Sequence, residues 1–202
     1  ATSWKDKEKK DHSVTSPLSL IVSAFAPLKD VRLALTPQID LTSCNSSELI
    51  FIDLAKGKKR MGGSIAFQVS SQFLGSVPDV ECVNEMPNLV KVIHQLIKEK
   101  KIIAYHDRSD GGLICSLLEM AFCGRSGLDI KLDEVCETNK QILDFLFNEE
   151  LGMVIQIPTE NIEEVINLVS QAGLKDHIHR IASPNESKDI KVFQNESLAF
   201  EW

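Results

Sequence analysis

The stretch from 101 to 124, KIIAYHDRSDGGLICSLLEMAFCG, decides how this chain is read. KIIAY is an apolar run of strand character, and it stops abruptly at His106, Asp107, Arg108, Ser109 and Asp110. After Gly111 and Gly112 the apolar pattern resumes with helical spacing, at Leu113, Ile114, Leu117, Leu118, Ala121 and Phe122, so the following helix is predicted to lie buried against a sheet. Its amino end must then sit at the mouth of the strand-to-helix turn, where the first backbone N–H groups lack partners and the helix dipole favours an anion. Ser109 or Asp110 can serve as N-cap, and Ser109 can instead reach a phosphate oxygen. Asp107, just past the strand, suits a divalent cation, because magnesium commonly takes one or two carboxylates together with phosphate oxygens. The turn therefore reads either as a magnesium-phosphate site or as an ordinary capped helix with solvated acids; a glycine pair is a weak signal between them. A lone aspartate makes a poor magnesium site, so the remaining ligands must come from elsewhere.

Outward from this turn, strands and helices alternate. Downstream, GLDIKL reads as a strand, NKQILDFLF as a helix, GMVIQIP as a strand, and TENIEEVINLVSQAG as a helix with Thr159 as cap and Gly173 as stop. HRIA, DIKVF and SLAFEW supply short strands at the end. Upstream, Leu89, Val92, Ile93, Leu96 and Ile97 mark a helix from about Met86 to Lys100, whose closing lysines suit the negative end of its dipole. ELIFIDL is a strand, SIAFQVSSQFL a helix opened by Gly62 and Gly63, ALTPQIDLTSCNSSE a long loop, and LSLIVSAF a buried strand. The predicted fold class is α+β, a mixed sheet flanked by helices, without internal repeat. Residues 1–14 alternate lysine and acid and read as a linker with Trp4 as its only anchor, leaving residues 15–202 as one domain.

Composition agrees with a folded domain: of 202 residues, 43% are hydrophobic and 25% charged, near globular averages. No run approaches the length of a membrane span, and the charged start is unlike a secretory signal, so no membrane association and a cytoplasmic setting are expected. The net charge of −7 removes the electrostatic basis for general nucleic-acid binding. Five cysteines, an odd number without a CxxC pair, argue against a disulfide framework or a zinc knuckle and for reduced, mostly buried thiols.

Other motifs carry less. GKKRMGGS, at 57–64, fits P-loop spacing except that Gly63 stands at the lysine position, so the phosphates would lose their fixed cation and the P-loop reading is rejected. What survives is a basic turn (Lys56, Lys58, Lys59, Arg60) before a glycine-opened helix, with a solvated loop as the plainer alternative. In FNEELG, the adjacent Glu149 and Glu150 must point in different directions, which favours a structural role over an acid–base dyad, with Gly152 turning the chain into a strand. His177 and His179 share a strand face but lack a third ligand. Cys115 and Cys123, on a helix without a partnered histidine, are packing residues.

The quoted motifs go further as a set. SPLSLIVSAFAPLKDVRLALTPQI, ELIFIDLAKGKKRMGGSIAFQV, IAYHDRSDGGLICSLLEMAFCGRSGLDI and FNEELGMVIQI resemble, in order and from about Thr15 to the end, the large single-chain phosphoribosylformylglycinamidine synthases. HDRSDGGL and FNEELG together are specific to that family; either alone would indicate only the wider superfamily of aminoimidazole ribonucleotide (AIR) synthetase. The resemblance implies the α/β fold of the AIR synthetase C-terminal domain, partly like a ferredoxin-type arrangement, covering the carboxy-terminal half of the second of two synthetase-like repeats. For the whole enzyme it implies a ligase that amidates formylglycinamide ribonucleotide in purine synthesis, using ATP to phosphorylate the amide oxygen and ammonia from glutamine to displace the phosphate. Carried over by position, Asp107 resembles the family's magnesium-binding aspartate and Ser109 its nucleotide-contacting serine, with Mg2+ and ATP or ADP as cofactors in a supporting rather than reactive pocket. The implied partners are the remaining domains of the same enzyme: the amino-terminal half of the repeat, the first repeat and the glutaminase domain. Those parts hold the other magnesium ligands and the catalytic groups, so this chain alone is expected to be inactive. A stand-alone noncatalytic module that binds a nucleotide or a partner, or another superfamily enzyme, are the alternatives.

Overall fold

The computed structural model describes residues 2–15, 20–72, 74–133, 135–136, 139–195 and 197–201. The chain divides into two compact units, 1–32 and 33–202. In the first, residues read as linker form a hairpin of β1 (Thr2–Lys5) and β2 (Asp11–Val14), antiparallel with Trp4 opposite His12. Turn chemistry outweighs the missing apolar period here. Asp6 Oδ1 accepts the N–H groups of Glu8 and Lys10, both at 2.9 Å, and Trp4 stacks on His12 with ring centroids 5.4 Å apart. The expected strand LSLIVSAF falls partly outside the described residues; from Leu20 onward it has no regular structure, and Leu20, Ile21, Val22 and Phe25 are exposed. A β-branched apolar run becomes a strand only when another strand pairs with it.

The second unit is built on a sheet of seven strands: β3 (Ser47–Asp53), β4 (Ala104–Asp107), β5 (Gly127–Lys131), β6 (Gly152–Pro158), β7 (Ile178–Asn185), β8 (Ile190–Gln194) and β9 (Ser197–Glu201). Their order is β4-β6-β3-β7-β5-β8-β9, and every neighbouring pair is antiparallel except β5 and β8, so the sheet is mixed as expected. The segment β4-β6-β3-β7 has the strand order of a ferredoxin-type unit, with α2 (Glu85–Lys98) joining β3 to β4 and α5 (Ile162–Val169) leading from β6 to β7. Those two helices cover one face. Leu89, Val92, Ile93 and Leu96 of α2 and Ile162, Val165 and Val169 of α5 pack there with Ile50, Ile52, Ile155 and Ile157. Successive strand residues point to opposite faces, so Leu49, Phe51 and Val154 meet α3 (Gly112–Gly124) and α4 (Asn139–Phe147) on the other side. Three layers result, with β3, between β6 and β7, buried on both faces.

Three expected elements differ in detail. The helix predicted over SIAFQVSSQFL is only α1 (Ile65–Val69), capped by Ser64, whose hydroxyl accepts from the Phe67 N–H at 3.3 Å. The strand KIIAY begins at Ala104 and runs through His106 and Asp107, because its pairing with β6 extends to Asp107 opposite Met153. The helix from Thr159 opens with a 3-10 turn without a side-chain cap and ends in a π turn at Gly173, whose φ is 83°. In α3, Phe122 is 68% exposed, and Met120 takes the inward position instead. All five cysteines are free as expected, yet only Cys136 is buried and Cys123 is exposed. His177 lies in a short turn rather than on the strand, while His179 stacks on Phe51; among the described residues no cluster of metal-ligating side chains forms.

Ahead of β3, the loop carrying Asp40 is tied to the sheet. The buried Gln156 amide donates to the Asp40 carbonyl at 2.7 Å and its oxygen accepts the Asp40 N–H at 2.9 Å. The Asp40 carboxylate accepts from the Ser43 hydroxyl and from the N–H and hydroxyl of Thr42, and this holds its pKa at about 2, below its ordinary 3.8, with the Ser43 hydroxyl contributing most. A depressed carboxyl stabilises the fold above its unfolded pKa and loses that contribution as pH falls through the folded one. The melting temperature should therefore fall between about pH 4 and pH 2, and Asp40→Asn should flatten that part of the curve. For the core, Phe51→Ala should cost about 3–5 kcal/mol in urea denaturation.

Candidate functional site

The turn after β4 lies at an edge of the sheet, and its charged residues separate into those turned inward and those left outside. Arg108 goes in. Its N–H donates to the Gly152 carbonyl at 2.9 Å, and its guanidinium bonds the carbonyls of Glu150 and Leu151 and reaches Asp53 Oδ1 at 3.1 Å. The same group lies 4.8 Å over the Phe51 ring. Burial lowers the Arg108 pKa, opposed by the charge of Asp53. His106 pairs with Glu119 at 2.6 Å across to α3. Asp107, Ser109 and Asp110 remain exposed.

The helix cap departs from expectation. Neither Ser109 nor Asp110 caps α3; the N-cap is Gly111, at φ 87°, without a side-chain bond. The Gly111 N–H donates to Glu149 Oε1 at 2.8 Å, and the Gly112 N–H donates to the Ser109 carbonyl at 2.9 Å. Two donors expected to face an anion thus already have acceptors within the chain. Gly112, at φ 79°, is required for packing: a Cβ there would stand 2.6 Å from the Leu146 carbonyl oxygen, where α4 ends.

FNEELG is the counterpart of this turn. Asn148 closes α4 by donating to the carbonyls of Asp144 and Phe145 at 2.6 and 3.0 Å. Glu149 Oε1 accepts from the Ile65 N–H at 2.9 Å as well as from Gly111, joining the starts of α1 and α3. Glu150, with no exposed surface, faces the other way and takes Arg60 Nε at 2.5 Å, Arg60 Nη2 at 2.7 Å and the Arg60 N–H at 3.1 Å. That carboxylate raises the Arg60 pKa. The adjacent glutamates are structural, as their spacing predicts.

The basic turn at 56–60 is exposed at Lys56 and Lys58 and half-buried at Lys59 and Arg60. Lys56 pairs with Glu85 at 2.7 Å, Lys58 with Glu81 at 2.6 Å, and Lys59 lies over the Phe145 ring. At Gly62, a Cβ would stand 2.5 Å from the Gly75 carbonyl oxygen. Its glycine character is therefore set by a close backbone approach.

Sequence reasoning missed Arg108 and Tyr105. Tyr105 donates its hydroxyl to Asp107 Oδ1, and burial, followed by that bond, raises its pKa. The alternation of a strand places residues 105 and 107 on one side, a signal legible beforehand; nothing local distinguishes Arg108 from its exposed neighbours.

With three layers and this turn at the sheet edge, comparison with known proteins defines the class. Residues 53–194 match the family described as "AIR synthase related protein, C-terminal domain", and the chain belongs to it. It is 44% identical, over 179 residues and 88% of its length, to the phosphoribosylformylglycinamidine synthase of Schizosaccharomyces pombe (strain 972 / ATCC 24843), of which it spans 13%. Among solved structures it is similar to T. maritima PurL complexed with ATP (TM-score 0.63, 14% identity, 85% of this chain and 27% of that one). It is likewise similar to T. maritima PurL complexed with FGAR (TM-score 0.64, 14% identity, 85% and 29%). At that identity the two structures establish the fold.

The geometry sorts the motif by substitution. Arg108→Ala should destabilise the chain by about 3–5 kcal/mol, since it strands the Asp53 charge and two carbonyls in the interior. Asp110→Ala, at an exposed position, should change stability by less than about 0.5 kcal/mol. Paired urea titrations measure both.

Proposed function

We propose that this chain is a segment of a phosphoribosylformylglycinamidine synthase, a carbon–nitrogen ligase that amidates formylglycinamide ribonucleotide with ATP and glutamine-derived ammonia in the cytoplasm. Within it, Asp107 would hold a magnesium ion and Ser109 would contact ATP or ADP. The observation that carries the site is the sorting of charge at the turn: His106 and Arg108 are committed to protein partners, while Asp107 at the end of β4 and Ser109 in the turn after it are exposed. Identity of 44% to the S. pombe synthase supports the enzyme assignment.

The donor set fits magnesium. Asp107 is a hard oxygen ligand, and in this reading it is the one carboxylate that the segment would supply; among the described residues no group of three or more metal-ligating side chains forms. Magnesium keeps several waters and binds through one or two carboxylates plus phosphate oxygens. When bound, the ion would neutralise phosphate charge. Ser109 offers a hydroxyl to a phosphate oxygen, and Arg108, drawn into the interior, leaves that space free of a competing cation. The other ligands, the glutaminase and the reactive pocket belong to the remaining domains, the partners of this segment. Among the described residues no helix is long and apolar enough to cross a membrane.

In the full-length synthase, Asp107→Asn should abolish retention of nucleotide through purification, and Ser109→Ala should weaken it. Loss of a tightly held ligand should also lower the melting temperature. Unchanged nucleotide content in Asp107→Asn would refute the site. The chain by itself should form no amidine from formylglycinamide ribonucleotide, ATP and ammonia; product in a chromatographic assay would refute its dependence on the other domains.

A further inference from the structure

The strand that delivers Asp107 carries Tyr105 two residues earlier, on the same side. The Tyr105 hydroxyl donates to Asp107 Oδ1. The tyrosine is itself anchored. Its ring packs against the cluster formed by α2, α5 and one face of the sheet, and its N–H donates to the Thr36 carbonyl at 3.1 Å. The backbone of Asp107 is held from the opposite side, where the fully buried Ser116 of α3 donates its hydroxyl to the Asp107 carbonyl at 3.0 Å. One carboxylate oxygen is thus tied to a partly buried phenol. Among the described residues Oδ2 has no hydrogen-bond or ion-pair partner, on a side chain that is exposed.

A carboxylate at the end of a strand would ordinarily rotate and present either oxygen to solvent. Here the phenol supplies one proton in a fixed direction, and because a neutral hydroxyl adds no positive charge, the carboxylate keeps its full attraction for a cation. Groups that orient a metal ligand from behind are worth about 10- to 100-fold in metal affinity. We propose that Tyr105, with Ser116 behind it, is a positioning residue that presents Asp107 Oδ2 to a divalent cation. This rests on the reading of Asp107 as a magnesium ligand.

The test uses the full-length synthase and measures, by equilibrium dialysis with radiolabelled ADP, the free Mg2+ concentration at half-maximal nucleotide retention. Tyr105→Phe keeps the ring and removes only the hydroxyl. It should raise that concentration about tenfold, while retention at saturating Mg2+ returns to the unsubstituted level. Ser116→Ala should shift the midpoint in the same direction, and decides the matter if Tyr105→Phe fails to accumulate. A role in packing alone would lower the ligand-free melting temperature without moving the Mg2+ midpoint. Midpoints within twofold of the unsubstituted enzyme, alongside lost retention in Asp107→Asn, would overturn the positioning role and leave the site standing. Unaltered retention in Asp107→Asn would remove the site and the positioning role with it.

Discussion

The Glu150 carboxylate, without exposed surface, is held by three donors of Arg60, and the rest of the site is arranged around that pair. A charge taken out of water persists only where a counter-charge and hydrogen bonds meet it together. The demand fixes the 60–65 turn against the end of α4. One residue earlier, Glu149 points the other way and gathers two backbone N–H groups, from Ile65 and Gly111. The main chain of the same turn takes the Arg108 guanidinium at Glu150 and Leu151. Three segments distant in sequence are thereby one unit, and each of their glycine pairs contains a position where a side chain would strike a carbonyl oxygen.

That arrangement explains why a strongly charged turn can follow an edge strand without being a loose surface loop. Arg108 satisfies two carbonyls and Asp53, His106 reaches Glu119, and the N–H groups of Gly111 and Gly112 are matched internally. Glu149 takes the place of an anion at the Gly111 N–H. Asp107 and Ser109 are left outside, and the Tyr105 and Ser116 hydroxyls bond the carboxylate and the carbonyl of Asp107. A site carried on a strand end with locked supporting groups holds its geometry more closely than one on a mobile loop.

Much of the sheet and its helices was legible because burial there follows simple periods. Leu89, Val92, Ile93 and Leu96 repeat at helical spacing, and GMVIQIP spans β6 residue for residue. The same rules failed where pairing or turn chemistry decided. LSLIVSAF has strand composition but no regular structure from Leu20 onward, and the lysine-rich start folds into a hairpin around Asp6. Phe122 fits the buried stripe of α3, yet is exposed.

The sequence by itself determined the layered α+β class, the position of the turn between β4 and α3, the separate orientations of Glu149 and Glu150, and the candidate pair Asp107 and Ser109, since all of these follow from periods of two and 3.6 residues and from local chemistry. Only the tertiary structure decided which charges are interior. Arg108 and Arg60 differ from their neighbours through Asp53 and Glu150, 55 and 90 residues away, and no local pattern encodes a counter-charge that arrives from a distant segment.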